Sequence, residues 1–350
     1  MIVCPARLEP IFSPRPWGSL SLAPFFPNKS NLSEPLGEAW MSGADCKFAD
    51  GPFAGQKLGE AWAAMPPEWA GTRANRHVRF PVLVKFIFPE DKLSVQVHPA
   101  DDYAARHEQA AGGRGKTEMW YCVRARAGAE VMVGLKHGVT LDSFKCAIAN
   151  GTAEEFIEHV PLREGDAIFV PAGTAHTIGP GLVLCEIQEY SDVTYRVYDY
   201  NRRDAKGLAR PLHIEKALEV IQFGEQGGGK IEPVRIEHGE VKETYFVACR
   251  YFAAEKWEFS ERIARTISRE RFELLIFLEG AGTIGWGANR VNYSPAQVWM
   301  MPAALGAYEL TPNARTSLLR TYVPSDMSEF TRRLADQGIP ETEWSRLVHP

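Results

Sequence analysis

Four residues stand in contexts that would gather them around one point. Gln96 and His98 lie two apart in LSVQVH (93–98), and Glu118 opens EMWYCV (118–123). His176 ends the pattern G-x5-P-x-G-x-x-H, formed by Gly165, Pro171, Gly173 and His176. Two imidazoles, a carboxylate and an amide oxygen are donors that suit Zn2+, with Fe2+ or Mn2+ as alternatives. No thiolate belongs to the set, so it reads as a catalytic centre open to water or substrate oxygens. A lone histidine is ordinarily a hydrogen-bonded core residue. Four candidate ligands in fitting contexts weaken that reading.

The stretch AAGGRGKTEMWYCV (110–123) poses a rival, since Gly115-Lys116-Thr117 matches the end of a phosphate-binding loop. That motif needs an earlier glycine, here Ala110, and a helix N-terminus after it. An aromatic, β-rich run follows instead, so a nucleotide loop is rejected. The glycines read as a turn that delivers Lys116 to a pocket rim, with Glu118 entering the strand beyond.

The elements that must position these residues are mostly short strands. PVLVKFIF (81–88) is a continuous β-branched and aromatic run, expected to be buried on both faces. LSVQVH alternates, with Leu93, Val95 and Val97 on one face and Ser94, Gln96 and His98 on the other. EMWYCV, GAEVMVGL (128–135), DAIFV (166–170), LVLCEIQEY (182–190) and TYRVYDY (194–200) follow at turn-separated spacing. Further strands are expected within 244–259, 272–286 and 297–302. Such spacing predicts a sandwich or barrel. Helices are expected at 140–150, stopped by Asn150-Gly151, at 211–223, and at about 326–337. Residues 100–109 read as helix or loop.

The 350 residues suit roughly two domains. The helix of 211–223 and the loop GEQGGGK (224–230) form the best junction. This gives a domain of 1–210 with helical insertions, a linker of 211–230 and a domain of 231–350. EGDAIFVPAGTAHTI (164–178) can be laid on SPAQVWMMPAALGAYEL (294–310) by matching Pro171 to Pro302. His176 then falls on Ala307. A second copy that keeps the scaffold and loses the polar side chain predicts one active barrel and one silent one.

A net charge of −5 offers no footprint for nucleic acid. No apolar run approaches the roughly 18 residues of a membrane span, and the proline-broken N-terminus does not read as a signal peptide. Six scattered cysteines without a C-x-x-C pair read as reduced, mostly buried thiols of a cytoplasmic protein.

The motif ending in His176 is the second cupin motif, and QVH with Glu118 resembles a variant of the first. LSVQVHP (93–99), GKTEMWY (115–121), VPAGTAHTI (170–178) and SDVTYRVYDYNR (191–202) together closely resemble the type I mannose-6-phosphate isomerases, or phosphomannose isomerases, in their short bacterial branch. FSPRPWGS and the LGEAW of 36–40 resemble the same family, although Ser19 stands where a second glycine is common. The similarity runs from about residue 8 to 223 and more loosely beyond.

The resemblance implies two tandem cupin (jelly-roll β-barrel) domains with a few peripheral helices, the second metal-free. It implies one Zn2+ held by Gln96, His98, Glu118 and His176, the set already reached from strand parity and turn geometry. It also implies interconversion of mannose 6-phosphate and fructose 6-phosphate by proton transfer between C1 and C2 through a cis-enediol. Arg196 matches the family's active-site arginine and would stabilise the developing enediolate; Asp192 would orient it. Glu186, flanked by Cys185 and Ile187, is the candidate base, or an interior partner of Arg196. Lys116 is the rival base, and is favoured for the phosphate or the substrate oxygens. Ser94 and Arg202 are further phosphate contacts. The expected partner is a small sugar phosphate, with neither nucleic acid nor membrane, and the chain a monomer or homodimer.

Two other classes compete. An iron cupin oxygenase would use His98, Glu118 and His176 as a facial triad, but Gln96 would fill a position that dioxygen needs. A sugar-phosphate-binding cupin without turnover would keep the same pocket.

Overall fold

The computed structural model describes residues 2–76, 78–203, 207–224 and 228–349. The chain divides into two compact units. One comprises Phe12–Ala39 and Lys85–Lys230, here the first barrel; the other comprises Met1–Ile11, Trp40–Val84 and Ile231–Pro350, here the second barrel. This differs from cuts at 210 and 230 for a physical reason. Ala6–Leu8 pairs with Val298–Met301, so the N-terminus is a strand of the C-terminal half's sheet. The Ile214–Val220 helix is no linker, because Ala217 and Ile221 pack in the same core as Val95, Val97 and Tyr195. Of the loop 224–230, residues 225–227 lie outside the described residues, and Gly229–Lys230 pairs with Ala167–Val170.

The fold is mostly β and is a pair of cupin barrels. In the first barrel, Tyr195–Tyr198, Val95–Val97, His176–Ile178, Glu130–Leu135 and Ile157–Pro161 lie side by side in one sheet. The other sheet runs through Ala167–Val170, Glu118–Ala125, Leu182–Glu189 and Val82–Ile87. Trp120, Ile168, Val170 and Leu184 from one sheet share a core with Val131, Val133 and Ile178 from the other. In the second barrel, Trp257, Leu275, Phe277, Trp299 and Leu318 likewise meet Ile263, Ile284, Tyr308 and Leu310.

Strand parity works in detail. Val95 and Val97 face outward into a cluster with Phe144, Ile148 and Ala217, beneath the Leu141–Asn150 and Ile214–Val220 helices. Gln96 and His98 therefore face inward. Leu93 does not share the valines' face; it precedes the strand and packs in the inner core with Trp120. The Leu141–Asn150 helix ends as expected, with Gly151 in the left-handed region at φ 74°.

The pentapeptide LGEAW occurs twice with two outcomes. Leu36–Trp40 is a strand, and a Cβ on Gly37 would lie 2.5 Å from that of Arg15. At Leu58–Ala64 the same residues begin a helix whose Trp62 meets Phe80 edge-on at 5.1 Å. Tertiary partners decide the conformation here, over local propensity.

The repeat matched through Pro171 and Pro302 needs one correction. Ala307 is exposed, and its neighbour Tyr308 is the residue that enters the core. Nor has the second barrel lost polar side chains, since Glu255, Glu273 and Arg320 are all buried within it. Among the described residues, no imidazole joins them in a candidate metal set.

Candidate metal centre and adjoining cavity

His176 and Gln96 face each other across antiparallel strands, which fixes two of the four candidate ligands in register. Glu118 enters from the opposite sheet at the first residue of its strand. Gly115 makes this entry possible: a Cβ there would lie 2.7 Å from the Asp101 nitrogen, while the Lys116 amide donates to the Pro99 carbonyl at 3.1 Å. On the other side, the Gly173 amide donates to the His98 carbonyl at 2.8 Å, and Gly173 is left-handed at φ 88°.

Both imidazoles are aimed by backbone carbonyls. His98 Nδ1–H donates to Val193 O and His176 Nδ1–H to Thr174 O, each at 2.8 Å, which leaves each Nε2 lone pair facing inward. Glu118 Oε1 lies 3.7 Å from His98 Nε2 and 3.4 Å from His176 Nε2. Gln96 Nε2 lies 3.3 Å from His176 Nε2, and a half-turn of the carboxamide would bring its oxygen to the same place. The ligating atoms of His98, Glu118 and His176 all lie within 4.8 Å of one another.

The electrostatics suit a cation. Burial, then Lys116, holds the His98 imidazole well below its usual pKa, and burial lowers that of His176 to about 4. Both are thus neutral at pH 7, the form that can ligate a metal. Glu118 Oε1 is buried without a hydrogen-bond partner among the described residues, an arrangement costly for a carboxylate unless a cation answers it. Lys116 Nζ donates to Glu118 Oε2, and to His98 Nε2 at 3.2 Å. Two neutral imidazoles and an unanswered carboxylate oxygen fit a divalent metal.

Gln96 and Lys116 also line a cavity of about 440 Å3, shared with Ser94, Glu186, Asp192 and Arg196. The expected site residues thus converge, with three differences. Asp192 pairs with Lys85 at 3.1 Å and does not orient Arg196. Arg196 is held instead by Ser94 Oγ at 3.3 Å and the Pro211 carbonyl at 2.9 Å. The interior partners of Glu186 are Lys85 at 3.5 Å and Lys116 at 3.7 Å, so the Arg196 partnership is not formed. Arg202 does not line the cavity; its guanidinium is held by Asp199 at 2.6 Å and Asp91 at 3.3 Å.

Sequence reasoning missed Lys85, Arg15 and Arg210, all on the cavity wall. Lys85 is 3% exposed; burial would discharge it, but Asp192 and Glu186 outweigh burial and raise its pKa. The signal was a lone lysine inside an apolar strand. Arg15 is clamped to Glu38 through Nε at 3.2 Å and Nη2 at 2.8 Å. Burial, then Arg210, lowers the pKa of Arg196, as expected where several cations crowd a wall.

Comparison with known proteins agrees with this geometry. The family model of the type I phosphomannose isomerase catalytic domain matches residues 6–142. A probable mannose-6-phosphate isomerase of Bacillus subtilis is 36% identical over 310 residues, covering 87% of this chain and 96% of the relative. The crystal structure of the mannose 6-phosphate isomerase from Bacillus subtilis superposes with a TM-score of 0.82 at 29% identity, covering 91% of this chain and 99% of the other. A zinc-bound mannose 6-phosphate isomerase shares the fold, with a TM-score of 0.68 at 17% identity over 91% of this chain and 99% of that one. The chain belongs to the type I mannose-6-phosphate isomerase family of enzymes.

Proposed function

We propose that the chain interconverts mannose 6-phosphate and fructose 6-phosphate. The observation that carries this reading is the cavity itself: candidate metal ligands adjoin one wall, and Arg15, Arg196 and Arg210 line others. A sugar phosphate needs both, a polar centre for its C1 and C2 oxygens and cations for its phosphate.

Gln96, His98, Glu118 and His176 would hold Zn2+, as the zinc-bound relative suggests. Zn2+ supplies Lewis acidity that polarises or positions the sugar oxygens. Glu186 is the base that moves the proton between C1 and C2. Its Oε1 is buried and has no hydrogen-bond partner among the described residues. Lys116 and Lys85 set positive charge beside the oxygens on which negative charge develops. Arg196 adds a fixed guanidinium to that task, and Ser94 Oγ orients it. Arg210 and Arg15 are better placed than Arg202 to meet the phosphate.

The test is a coupled assay that follows mannose 6-phosphate to fructose 6-phosphate, with chelator and after zinc is restored. Turnover lost to chelator and regained with zinc supports the reading. No turnover with zinc restored contradicts it.

A further inference from the structure

The interior of the second barrel holds an arginine enclosed by two carboxylates. Arg320 Nε donates to Glu273 Oε2 at 2.8 Å, and its Nη2 donates to Glu273 Oε1. Nη1 reaches both oxygens of Glu255, at 3.1 and 3.0 Å. Arg320 is 6% exposed, and each glutamate 1%. Its guanidinium carbon lies 4.3 Å from the Tyr322 ring centre and 5.3 Å from that of Trp257. The Tyr322 hydroxyl donates to Glu255 Oε1 at 3.1 Å. Two carboxylates that both meet the guanidinium and two aromatic rings around it make a site shaped for one planar cation.

Register relates this site to the first barrel. Glu118 lies opposite Val170, which precedes Pro171, and Glu273 lies opposite Met301, which precedes Pro302. Two residues on, Trp120 faces Glu186 and Leu275 faces Arg320. Glu273 is therefore the counterpart of Glu118, Arg271 of Lys116, and Arg320 of Glu186. Lys85 and Glu255 come from the strands that flank these last two. Across Lys85–Glu186 and Glu255–Arg320 the signs are exchanged.

We propose that Glu255 and Glu273 form a binding site for a guanidinium cation, and that the chain's own Arg320 fills it where the first barrel has candidate metal ligands. Glu273 thereby keeps its inward carboxylate without needing an ion from solution. Among the described residues no histidine, cysteine or further carboxylate completes a metal set there. Three nitrogens of one planar group meet all four carboxylate oxygens, the fork geometry that a guanidinium offers and an ammonium lacks. The second barrel is in this account a cation site closed by its own side chain. The inference is independent of the isomerase reading, since melting and not turnover reports it.

The full-length variant Arg320→Ala tests it, with thermal midpoints measured in about 1–20 mM ethylguanidinium and, as a control, tetramethylammonium. Loss of the arginine is expected to lower the midpoint by roughly 6–20 °C, because two buried carboxylates lose the guanidinium between them and Glu273 keeps only Arg271, at 3.6 Å. Ethylguanidinium should recover at least about a third of that loss saturably, and tetramethylammonium should not. Arg320→Met combined with Glu255→Gln and Glu273→Gln should not respond to either cation. An Arg320→Ala midpoint unchanged from the parent, equal recovery by both cations, or recovery by neither overturns the proposal. If Arg320→Ala does not fold unaided, refolding in ethylguanidinium must restore a cooperative melt; failure there overturns it as well.

Discussion

Glu118 and Glu273 stand at matching places in matching strands, yet they face different company. Glu118 meets two imidazoles and a lysine on a rotatable stem. Glu273 meets a guanidinium fixed on both sides. A buried carboxylate needs a cation, and the two barrels supply it in different ways. Neutral imidazoles leave room for an exchangeable ion and so for chemistry. An arginine locked between two glutamates gives a closed interior. The two barrels share the inward carboxylate and differ in what answers it.

The largest expected contrast comes from matched substitutions at these two positions. Glu118→Gln should abolish metal retention and lower turnover by more than the roughly 10–100-fold that loss of an outer partner costs. Glu273→Gln should leave turnover within about twofold while lowering the melting midpoint, because its effect is on the buried network. Metal analysis, the coupled assay and a melt on each variant decide this. Equal losses of activity would break the comparison.

Glu186→Gln comes next, with kcat expected to fall roughly 100- to 10,000-fold and KM little changed. Its counterpart Arg320 should show the reverse pattern, a stability loss with turnover kept. Arg210→Ala should raise KM for the phosphorylated sugar about tenfold or more and move kcat less, as expected for a phosphate contact. Steady-state kinetics with the two substitutions compared would expose a misassignment.

Acid should separate the barrels in the metal-stripped protein. His98 and His176 have folded pKa values below the ordinary imidazole value of 6.5, so the unfolded chain binds protons first as pH falls. Their contribution is present above 6.5 and is lost as pH falls towards the folded value, about 4 for His176. Glu255 is also depressed: burial would raise it, but Arg320 and then Arg333 outweigh burial. Its contribution is present above the ordinary carboxylate value of 4.5 and is lost only below that. In melts taken as pH falls, the contribution of His98 and His176 should therefore be lost before that of Glu255. The smallest effect is expected for Gly115→Ala, a midpoint lowered by a few degrees through the close approach to Asp101.

Much of the site was legible because it rests on local rules. Two-residue parity turned Gln96 and His98 inward, and the Pro171–Gly173 turn aimed His176. The Leu141–Asn150 helix was readable from its glycine stop. Lys85 was not, because a single lysine in the otherwise apolar PVLVKFIF does not say what answers it, and its partners Glu186 and Asp192 lie about a hundred residues on. Arg320 was hidden in the same way, by glutamates distant in sequence. LGEAW shows the general limit, since the same five residues give a strand and a helix.

If Gln96, His98, Glu118 and His176 hold the metal on which isomerisation depends, zinc content and turnover must rise together. Titrating chelator-stripped protein with zinc, while following metal content and turnover together, tests it most directly. Turnover is expected to rise linearly and stop at about one zinc per chain, with no rise in His176→Ala. Full turnover without bound metal, or in His176→Ala, would contradict it.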